Sequence, residues 1–266
     1  PDRCSVYHFM FSPHQRAVRA VRGALALSRK RSVHTIPSQP APTVDPTTLV
    51  FADKTVVLCE SSALLLRSAG IEGVEVIRPG VPIPSAPADT AQSRRRLGLG
   101  IEGLDWGECP VFVYAGDLEF SDGARTFVEA ARLVHESVAE ARFVLACRPK
   151  TPRSHEVDSA LKARVKALGL DGVVRFLGVV DDMPALLGAA TAVTLSVDTL
   201  YAKVDTPIVL LEAMALGTPT VVSDIPSLSE LAGLGVGSRV VKRSDPESLA
   251  SALVTLSESE STVARL

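Results

Sequence analysis

The sequence is poor in the features that mark several classes of protein. Its four cysteines are scattered over 266 residues and none forms a CxxC pair, so neither a disulfide framework nor a zinc site is expected. No apolar run approaches the roughly 20 residues that a membrane-spanning helix needs, and no signal peptide opens the chain. The formal net charge is only −2, which gives no overall reason to expect a nucleic-acid partner. These absences favour a cytoplasmic protein without a structural metal or a cofactor.

What the chain does have is a large apolar fraction. Hydrophobic residues make up 46% of the sequence and charged residues 22%, which suits a substantial core in one large or two medium domains. The charge is uneven, because residues 1–34 hold seven basic residues and one acidic residue. The first stretch, SVYHFMFSP, reads as a strand and its exit loop with nothing before it to support them. We therefore expect the front of a domain to be missing from this sequence.

Short apolar runs alternate with helical stretches in the second half of the chain. The predicted strands cover 109–116, 141–148, 173–179, 192–197, 218–224 and 238–242. The predicted helices cover 123–137, 155–169, 183–190, 207–216, 227–232 and 246–256. Almost continuously apolar strands separated by helices predict a parallel sheet covered on both faces. Such a doubly wound α/β domain binds its ligand at the carboxyl ends of the strands.

The first part of the chain is less regular. SVYHFMF predicts a strand, Pro13–Arg31 an Ala/Arg/Val-rich helix, and SVHT the end of a second strand. TVVLCES (Thr55–Ser61) predicts a strand, ALLLRSAG a helix, and VEVIRPGV a further strand. A cluster of prolines that begins at Pro79 then marks a linker. The predicted limits are 1–78 for the first domain, 79–107 for the linker, 108–256 for the second domain and 257–266 for a polar tail.

Several segments resemble one protein family in their order along the chain. In the second half they are YAGDLEFSDGA, RFLGVVDDMPALLGAA, LLEAMALGTPTVVSD and SLSEL, and in the first half HTIPS, FADKTVVLCESSALLL and VEVIRPGVPI. Together they resemble the group-1 (family-4) retaining glycosyltransferases of GT-B fold. The resemblance implies an α/β protein with two Rossmann-like, doubly wound parallel-sheet domains that face each other. It also implies that the donor nucleotide lies mostly on the C-terminal domain and that the N-terminal domain here is incomplete.

Glu212 stands inside the otherwise apolar helix start PIVLLEAMALG. A lone carboxylate in apolar surroundings is costly to bury unless a hydrogen-bond partner or a ligand is present. The resemblance implies that Glu212 accepts hydrogen bonds from the ribose hydroxyls of the donor, since a carboxylate offers two acceptor oxygens to a vicinal diol. The alternative is a surface glutamate on the polar side of the helix.

The family usually has a second glutamate eight positions before this one, where the present chain has Val204. Asp205 lies one residue later and could take over the contact with the donor sugar after a small adjustment of the loop. It could equally cap the helix that begins at Pro207. The departure at Val204 concerns the sugar contact and not nucleotide binding.

A second departure lies after the first strand of the donor domain. The family pattern there is G-R-x-x-x-x-K-G, whose basic residues neutralise the donor diphosphate, and the present chain reads GDLEFSDG from Gly116 to Gly123. Asp117 and Asp122 fill the two basic positions and would repel a diphosphate unless other cations compensate. Turn and cap roles explain both aspartates. Gly116 is still expected among the donor-binding residues, because glycine allows close backbone approach and the following helix N-terminus favours an anion.

Three cations are candidates for that compensation. Arg148 and Lys150 follow a predicted strand in ACRPKT, and Lys203 precedes the helix of Glu212. Arginine grips a phosphate with two hydrogen bonds and lysine supplies a point charge, so we expect all three to face the donor diphosphate. The alternative for each of them is a solvated surface cation.

His34 ends a predicted strand in SVHTIPS. The resemblance implies a catalytic role, in which the imidazole lies near the transferred sugar and donates a hydrogen bond to the leaving phosphate. The alternative is a structural histidine.

The basic segment Arg16–Arg31 spaces Arg16, Arg19 and Arg22 three residues apart, with apolar residues on another side. Helices of this kind lie on anionic membrane surfaces, which suggests peripheral contact with the inner face of a membrane. The alternative is an ordinary amphipathic helix with a solvated arginine face.

These observations favour an enzyme that moves a sugar from a UDP-, GDP- or ADP-linked donor to an acceptor, saccharide or lipid-linked, with retention of anomeric configuration. The acidic positions and Val204 support a second hypothesis, a non-catalytic glycosyltransferase-like subunit with an assembly or regulatory role. A nicotinamide-dependent dehydrogenase fits the βα rhythm but lacks GxGxxG after either candidate first strand.

Overall fold

The computed structural model describes residues 5–28, 30–41, 43–83, 89–98, 109–201 and 203–263. The chain divides into two compact units. The first comprises Pro1–Gly80 and Leu200–Pro207, and the second comprises Val81–Thr199 and Ile208–Leu266. The sequence patterns did not single out the segment 200–207 as part of the first unit.

The first unit is a parallel four-stranded sheet with the strand order β1-β2-β3-β4. Its elements are β1 (Val6–Met10), α1 (Gln15–Ala26), β2 (Arg31–Ile36), a 3-10 turn (Pro46–Leu49), β3 (Lys54–Val57), α2 (Glu60–Ser68) and β4 (Val74–Val76). Ile36 and Val57 pack with Ala63 and Leu66 of α2 in the core. The strand predicted over Thr55–Ser61 is therefore too long, because α2 already begins at Glu60, where an acidic side chain faces the positive end of the helix dipole.

The second unit is a parallel six-stranded sheet with the strand order β10-β9-β8-β5-β6-β7. Its helices are α3 (Thr90–Gly98), α4 (Gly123–Ser137), α5 (Ser154–Ala167), α6 (Met183–Ala189), α7 (Ile208–Ala215), α8 (Pro226–Ala232) and α9 (Pro246–Val263). Its strands are β5 (Val111–Tyr114), β6 (Arg142–Leu145), β7 (Val174–Phe176), β8 (Ala192–Leu195), β9 (Thr220–Ser223) and β10 (Arg239–Val241).

The strand order creates a switch point between β5 and β8. The chain enters the sheet at β5, proceeds outward to β7, and returns to the other side of β5 at β8. All four residues of β5 and all four of β8 are buried, as expected for strands covered on both faces. Doubly wound sheets bind their ligands outside the carboxyl ends of the strands at such a switch point.

Two helices depart from the prediction, one because it was not predicted and one because it is longer than predicted. Helix α3 falls inside the predicted linker and packs on α6, where Arg94 Nε donates to the Ala189 carbonyl at 3.2 Å. Helix α9 continues to Val263 through the start of the predicted polar tail, since an established, packed helix extends at little cost into residues such as glutamate. Positions 84–88 and 99–107 of the predicted linker, and 264–266 of the tail, lie outside the described residues.

None of the helices in the described ranges combines the length and the hydropathy that crossing a bilayer requires. The three cysteines among these residues, Cys59, Cys109 and Cys147, are free thiols.

Candidate functional site

The motif PIVLLEAMALGTP forms α7 and the turn into β9. Leu210 and Ala213 bury one side of the helix. Gly217 ends it with a φ of +81°, in the left-handed region that favours glycine. Thr218 then donates its N–H to the Ala213 carbonyl at 2.9 Å and its hydroxyl to the Leu187 carbonyl at 2.9 Å. The motif thus fixes both the end of α7 and its attachment to α6.

Glu212 lies half-buried on α7. Within the described part of the chain, its carboxylate makes no hydrogen bond or ion pair with protein groups. Both oxygens are therefore available as acceptors for a ligand with adjacent hydroxyls. The donor-binding role of Glu212 remains a prediction that this geometry permits.

Gly116 and Gly123 are packed against the ring of Tyr114. A Cβ atom on Gly116 would lie 2.5 Å from Tyr114 Cζ, and one on Gly123 would lie 2.8 Å from Cγ1 of Val197. The Tyr114 hydroxyl donates to the carbonyl of Asp117 at 3.2 Å, and burial raises the pKa of Tyr114 well above its usual value. Space for this ring accounts for both glycines, and a role of Gly116 in donor binding stays a prediction.

Three carboxylates at the switch point are bonded to backbone N–H groups. Asp117 is buried and its Oδ1 accepts from the N–H groups of Glu119 at 3.0 Å and Phe120 at 2.6 Å, which confirms its predicted turn role. Asp122 Oδ1 accepts from the Asp198 N–H at 3.0 Å, and Asp198 Oδ1 accepts from the Asp122 N–H at 2.9 Å. These N–H groups are thereby occupied by the chain's own anions. Among the described residues, no group of three or more His, Cys, Asp or Glu side chains could hold a metal ion.

Arg148 and Lys150 are exposed in the loop between β6 and α5. β6 is hydrogen-bonded to β5, so this loop leaves the sheet at the same edge as the loop that contains Gly116. The Lys150 ammonium lies 5.5 Å from the centroid of the Phe120 ring, within the range of a cation–π interaction. The structure therefore brings Gly116, Arg148 and Lys150 to one edge of one sheet.

Glu119 connects the two loops. Its Oε1 accepts from the N–H groups of Lys150 at 3.3 Å and Thr151 at 3.2 Å, and its carboxylate also accepts from the hydroxyls of Thr151 and Ser154. The hydroxyls of Ser154 and Thr151 are the main cause that lowers the pKa of Glu119 to about 2. The sequence-based reasoning missed this residue. The pattern that could have revealed it is an acidic residue after β5 together with a T-x-x-S stretch after β6, because the two hydroxyls of that stretch need an acceptor.

Asp205 anchors the segment 200–207 in the first unit. Its side chain is 1% exposed. Oδ1 accepts from the Gln39 N–H at 3.0 Å and Oδ2 from the Ser62 hydroxyl at 2.6 Å, while the Asp205 N–H donates to the Pro37 carbonyl at 2.9 Å. Burial raises the pKa of Asp205, and the hydrogen bonds from Ser62 and Gln39 oppose that shift. Within the described residues this side chain does not cap α7, and its contact with a sugar stays a prediction.

Lys203 is half-buried in the same segment, where its N–H donates to the Leu200 carbonyl at 2.9 Å. Lys203 and Asp205 thus belong to the first unit, whereas Gly116, Arg148 and Glu212 belong to the second. The role of Lys203 at a diphosphate also stays a prediction.

His34 lies in the core of the first unit and is 0% exposed. Its ring is 4.7 Å from that of Phe11 and 4.4 Å from that of Phe51 between centroids, and its Nε2 donates to the Phe11 carbonyl at 3.1 Å. Burial lowers the pKa of His34, which favours the neutral imidazole. Nδ1 has no hydrogen-bond partner among the described residues. The catalytic role of His34 stays a prediction.

Comparison with known proteins places this geometry in a family context. The family model described as "Glycosyl transferases group 1" matches residues 109–259. D-inositol 3-phosphate glycosyltransferase of Corynebacterium urealyticum is 27% identical over 187 residues, which are 68% of this chain and 42% of that protein. The chain thus spans less than half the length of this curated relative.

Solved structures support the fold. HepE of Anabaena in complex with UDP-glucose aligns with a TM-score of 0.77 and 21% identity over 97% of this chain and 70% of HepE. Sucrose-phosphate synthase of Thermosynechococcus elongatus aligns with a TM-score of 0.75 and 18% identity over 97% of this chain and 65% of the synthase. At these identities the likeness concerns the fold alone. It confirms the predicted α/β class of GT-B type with two Rossmann-like parallel sheets.

Proposed function

The chain belongs to the group 1 glycosyl transferases, and from this premise we propose that it transfers a sugar from a nucleoside-diphosphate donor to a saccharide or lipid-linked acceptor. We assign it to the retaining, family-4 type, because the order of its motifs resembles that type. The name of the curated relative supports glycosyl transfer, and the UDP-glucose complex of HepE supports a nucleotide-sugar donor. The proposed donor is a UDP-, GDP- or ADP-linked sugar.

The observation that carries the proposal is the carboxylate of Glu212. It is half-buried on an apolar helix, and within the described residues no protein group hydrogen-bonds to it. Half-burial leaves the carboxylate accessible to a ligand, and the hydroxyls of a ribose would supply hydrogen-bond donors for its two oxygens. Glu212 is therefore proposed to hold the ribose of the donor.

The exposed cations Arg148 and Lys150 are proposed to bind the donor diphosphate. The loop after β5 contains acids where a diphosphate would need positive charge, and these two residues follow the adjacent strand β6. Lys203 is a further source of positive charge. Both carboxylate oxygens of Asp205 already accept hydrogen bonds, from Gln39 and Ser62, and the side chain is buried, so holding the segment 200–207 is its first role.

His34 keeps its proposed role at the transferred sugar. Its Nε2 is bonded to Phe11, so Nδ1 is the atom that remains for a ligand. Because Nε2 carries the proton that is donated to Phe11, the neutral imidazole favoured by the lowered pKa has none on Nδ1. At that atom it can accept a hydrogen bond from a sugar hydroxyl but cannot donate one to the leaving phosphate.

Calorimetry with UDP, GDP and ADP tests this proposal. The wild-type chain is expected to bind at least one of them, and Glu212→Ala to bind it about tenfold or more weakly, because a hydrogen bond to a charged group contributes roughly 1.5–3 kcal/mol. Glu247→Ala, which removes an exposed acid in the first turn of α9, is the matched control. Absence of binding of all three nucleotides to the wild type would contradict the proposal.

A second function has its own support. Asp117, Asp122 and Asp198 occupy the backbone N–H groups at the switch point, where an anionic ligand would otherwise bind. This favours a glycosyltransferase-like subunit that does not catalyse transfer and acts in assembly or regulation. Detection of sugar transfer or donor hydrolysis by the full-length protein would eliminate this alternative.

Helix α1 is proposed to contact the anionic inner face of a membrane from the cytoplasm. Only Val18 of this helix is buried, while Arg16 and Arg19 are exposed. Since a basic residue near an anionic surface contributes about 1 kcal/mol, Arg16→Gln with Arg19→Gln should weaken binding to phosphatidylglycerol vesicles about thirtyfold. Cosedimentation measures this, with Arg125→Gln plus Arg239→Gln as a control of equal charge. Equal loss in both double variants, or equal binding to neutral phosphatidylcholine, would refute specific contact by α1.

A further inference from the structure

The loop between β6 and α5 is held by the loop between β5 and α4. Glu119 accepts hydrogen bonds from the N–H groups of Lys150 and Thr151 and from the hydroxyls of Thr151 and Ser154. Ser154 in turn accepts from the Lys150 N–H at 2.9 Å. The side chain of Glu119, in the loop after β5, thus fixes the backbone of Lys150 in the loop after β6.

The side chain of Lys150 is held by the next residue of that same loop. Its ammonium lies 5.5 Å from the centre of the Phe120 ring. Glu119 and Phe120 are adjacent in sequence, so a single dipeptide contacts Lys150 at both ends. The ring attracts the cation without neutralising it, and Lys150 remains exposed. A long side chain that is held in place before binding loses less conformational freedom when a ligand arrives.

The loop after β5 cannot supply the positive charge itself. From Gly116 to Gly123 it contains Asp117, Glu119 and Asp122 and no basic residue. A carboxylate close to a phosphate site weakens phosphate binding unless it has another function there. Glu119 has such a function, because it holds the backbone of Lys150, a cation of the neighbouring loop.

We propose that Glu119 and Phe120 are positioning residues, which hold the Lys150 ammonium ready for the diphosphate of the donor. This inference rests on the proposed function and extends it, since it identifies how an acidic loop still binds an anionic ligand. Lys150 makes the contact, and Glu119 and Phe120 act through it. The low pKa of Glu119 keeps its carboxylate ionised at neutral pH, as its role of multiple acceptor requires.

The test compares nucleoside diphosphates with nucleosides by calorimetry. UDP, GDP and ADP are each measured beside uridine, guanosine and adenosine, on the wild type and on Lys150→Ala, Glu119→Ala, Phe120→Leu and the double variant Glu119→Ala with Lys150→Ala. Glu156→Gln, which removes an exposed acid from the first turn of α5, is the control for general charge effects.

The sign of the Glu119→Ala effect is decisive. Removing a negative charge near the site should by Coulomb's law strengthen diphosphate binding, whereas loss of positioning should weaken it. We expect Lys150→Ala and Glu119→Ala each to weaken diphosphate binding about tenfold, and Phe120→Leu about threefold. Nucleoside affinity should stay unchanged, which also shows that the variants are folded. In the double variant, Glu119→Ala should add no further loss, because both changes remove the same contact.

Two results overturn the inference separately from the proposed function. If the wild type binds a diphosphate and Glu119→Ala binds it equally or more tightly, the positioning role is wrong and the donor assignment stands. Additive losses in the double variant would likewise refute positioning and leave the donor assignment intact. If the wild type binds none of the three diphosphates, the proposed function fails and this inference fails with it.

Discussion

The ring of Tyr114 limits the size of the side chains that fit in the loop after β5. It is wholly buried, and its hydroxyl lies beneath both Gly116 and Gly123. A glycine in this kind of loop is readily interpreted as room for a phosphate. Here the Tyr114 ring occupies that space. The sequence pattern cannot show whether a glycine makes space for a phosphate or for a side chain of the protein itself.

Gly116→Ala should therefore destabilise the protein. The new Cβ would lie 2.5 Å from Tyr114 Cζ, and overpacking of this kind costs about 1–3 kcal/mol. Gly172→Ala is the control, because a Cβ there meets no atom within 4 Å, and its cost should be below about 0.5 kcal/mol. Urea unfolding measures both. Equal stability of the two variants would show that the loop moves away from the ring without strain.

Single residues also show what a sequence pattern can and cannot reveal. Glu212 stands out because a charged residue inside an apolar helix is visible in the sequence, and its role in donor binding stays a prediction. Glu119 was not found, since its importance depends on four groups from a loop about thirty residues away in sequence, which come together only when β5 and β6 pair. His34 was predicted at a strand end, but β2 continues to Ile36, and the burial of the His34 ring against those of Phe11 and Phe51 is a tertiary fact.

At the scale of elements, the end of α7 depends on backbone conformation. Gly217 has a φ of +81°, and a Cβ there would meet nothing within 4 Å. Only the cost of the left-handed backbone therefore opposes a larger residue at this position.

Gly217→Ala and Gly23→Ala are expected to have effects of opposite sign. Alanine at 217 should lower the free energy of unfolding by about 1–2 kcal/mol through the left-handed φ. Alanine at Gly23 lies inside α1, where a Cβ also meets nothing within 4 Å, and should raise it by about 0.5–1 kcal/mol. Denaturant unfolding followed by circular dichroism gives both values. A stabilised Gly217→Ala variant would contradict the capping role.

Apolar runs located the elements well and their ends poorly. Each of the six strands predicted in the second half contains an observed strand, because burial on both faces demands apolar residues. Helix α3 was not predicted and helix α9 is longer than predicted, since a polar sequence with good helix formers becomes helical when one side finds a packing partner. In α3 the partner is α6, which no local pattern reveals.

At the scale of the whole molecule, carboxylates determine the response to acid. Hydrogen bonds or a neighbouring arginine lower the pKa values of Asp53, Glu119, Glu129 and Asp245. A carboxyl group with a lowered pKa in the folded state stabilises the fold above its unfolded pKa, and the contribution is lost as the pH falls through the folded pKa. Asp205 opposes this trend, because burial raises its pKa and ionisation then costs stability as the pH rises through that pKa.

The melting temperature should accordingly fall between about pH 4.5 and 2, the range in which the unfolded and then the folded form of Glu119 takes up a proton. Glu119→Gln cannot lose a charge there, so its melting temperature should depend less steeply on pH than that of the wild type. Differential scanning calorimetry across this range tests the difference, with Glu156→Gln as the control. If the melting temperatures of the wild type and of Glu119→Gln depend equally on pH, a stabilising role of the ionised carboxylate is refuted.

The assignment of 200–207 to the first unit has a consequence for recombining this protein with its relatives. Asp205 and Thr206 bond to Pro37, Gln39, Leu58 and Ser62, all of which precede Gly80. In a chimera joined at residue 80, the segment 200–207 would come from one parent. The groups before Gly80 that bond to it would come from the other parent. Exchanging donor specificity between homologues requires three junctions, so that this octapeptide travels with the N-terminal half although it is encoded in the C-terminal half.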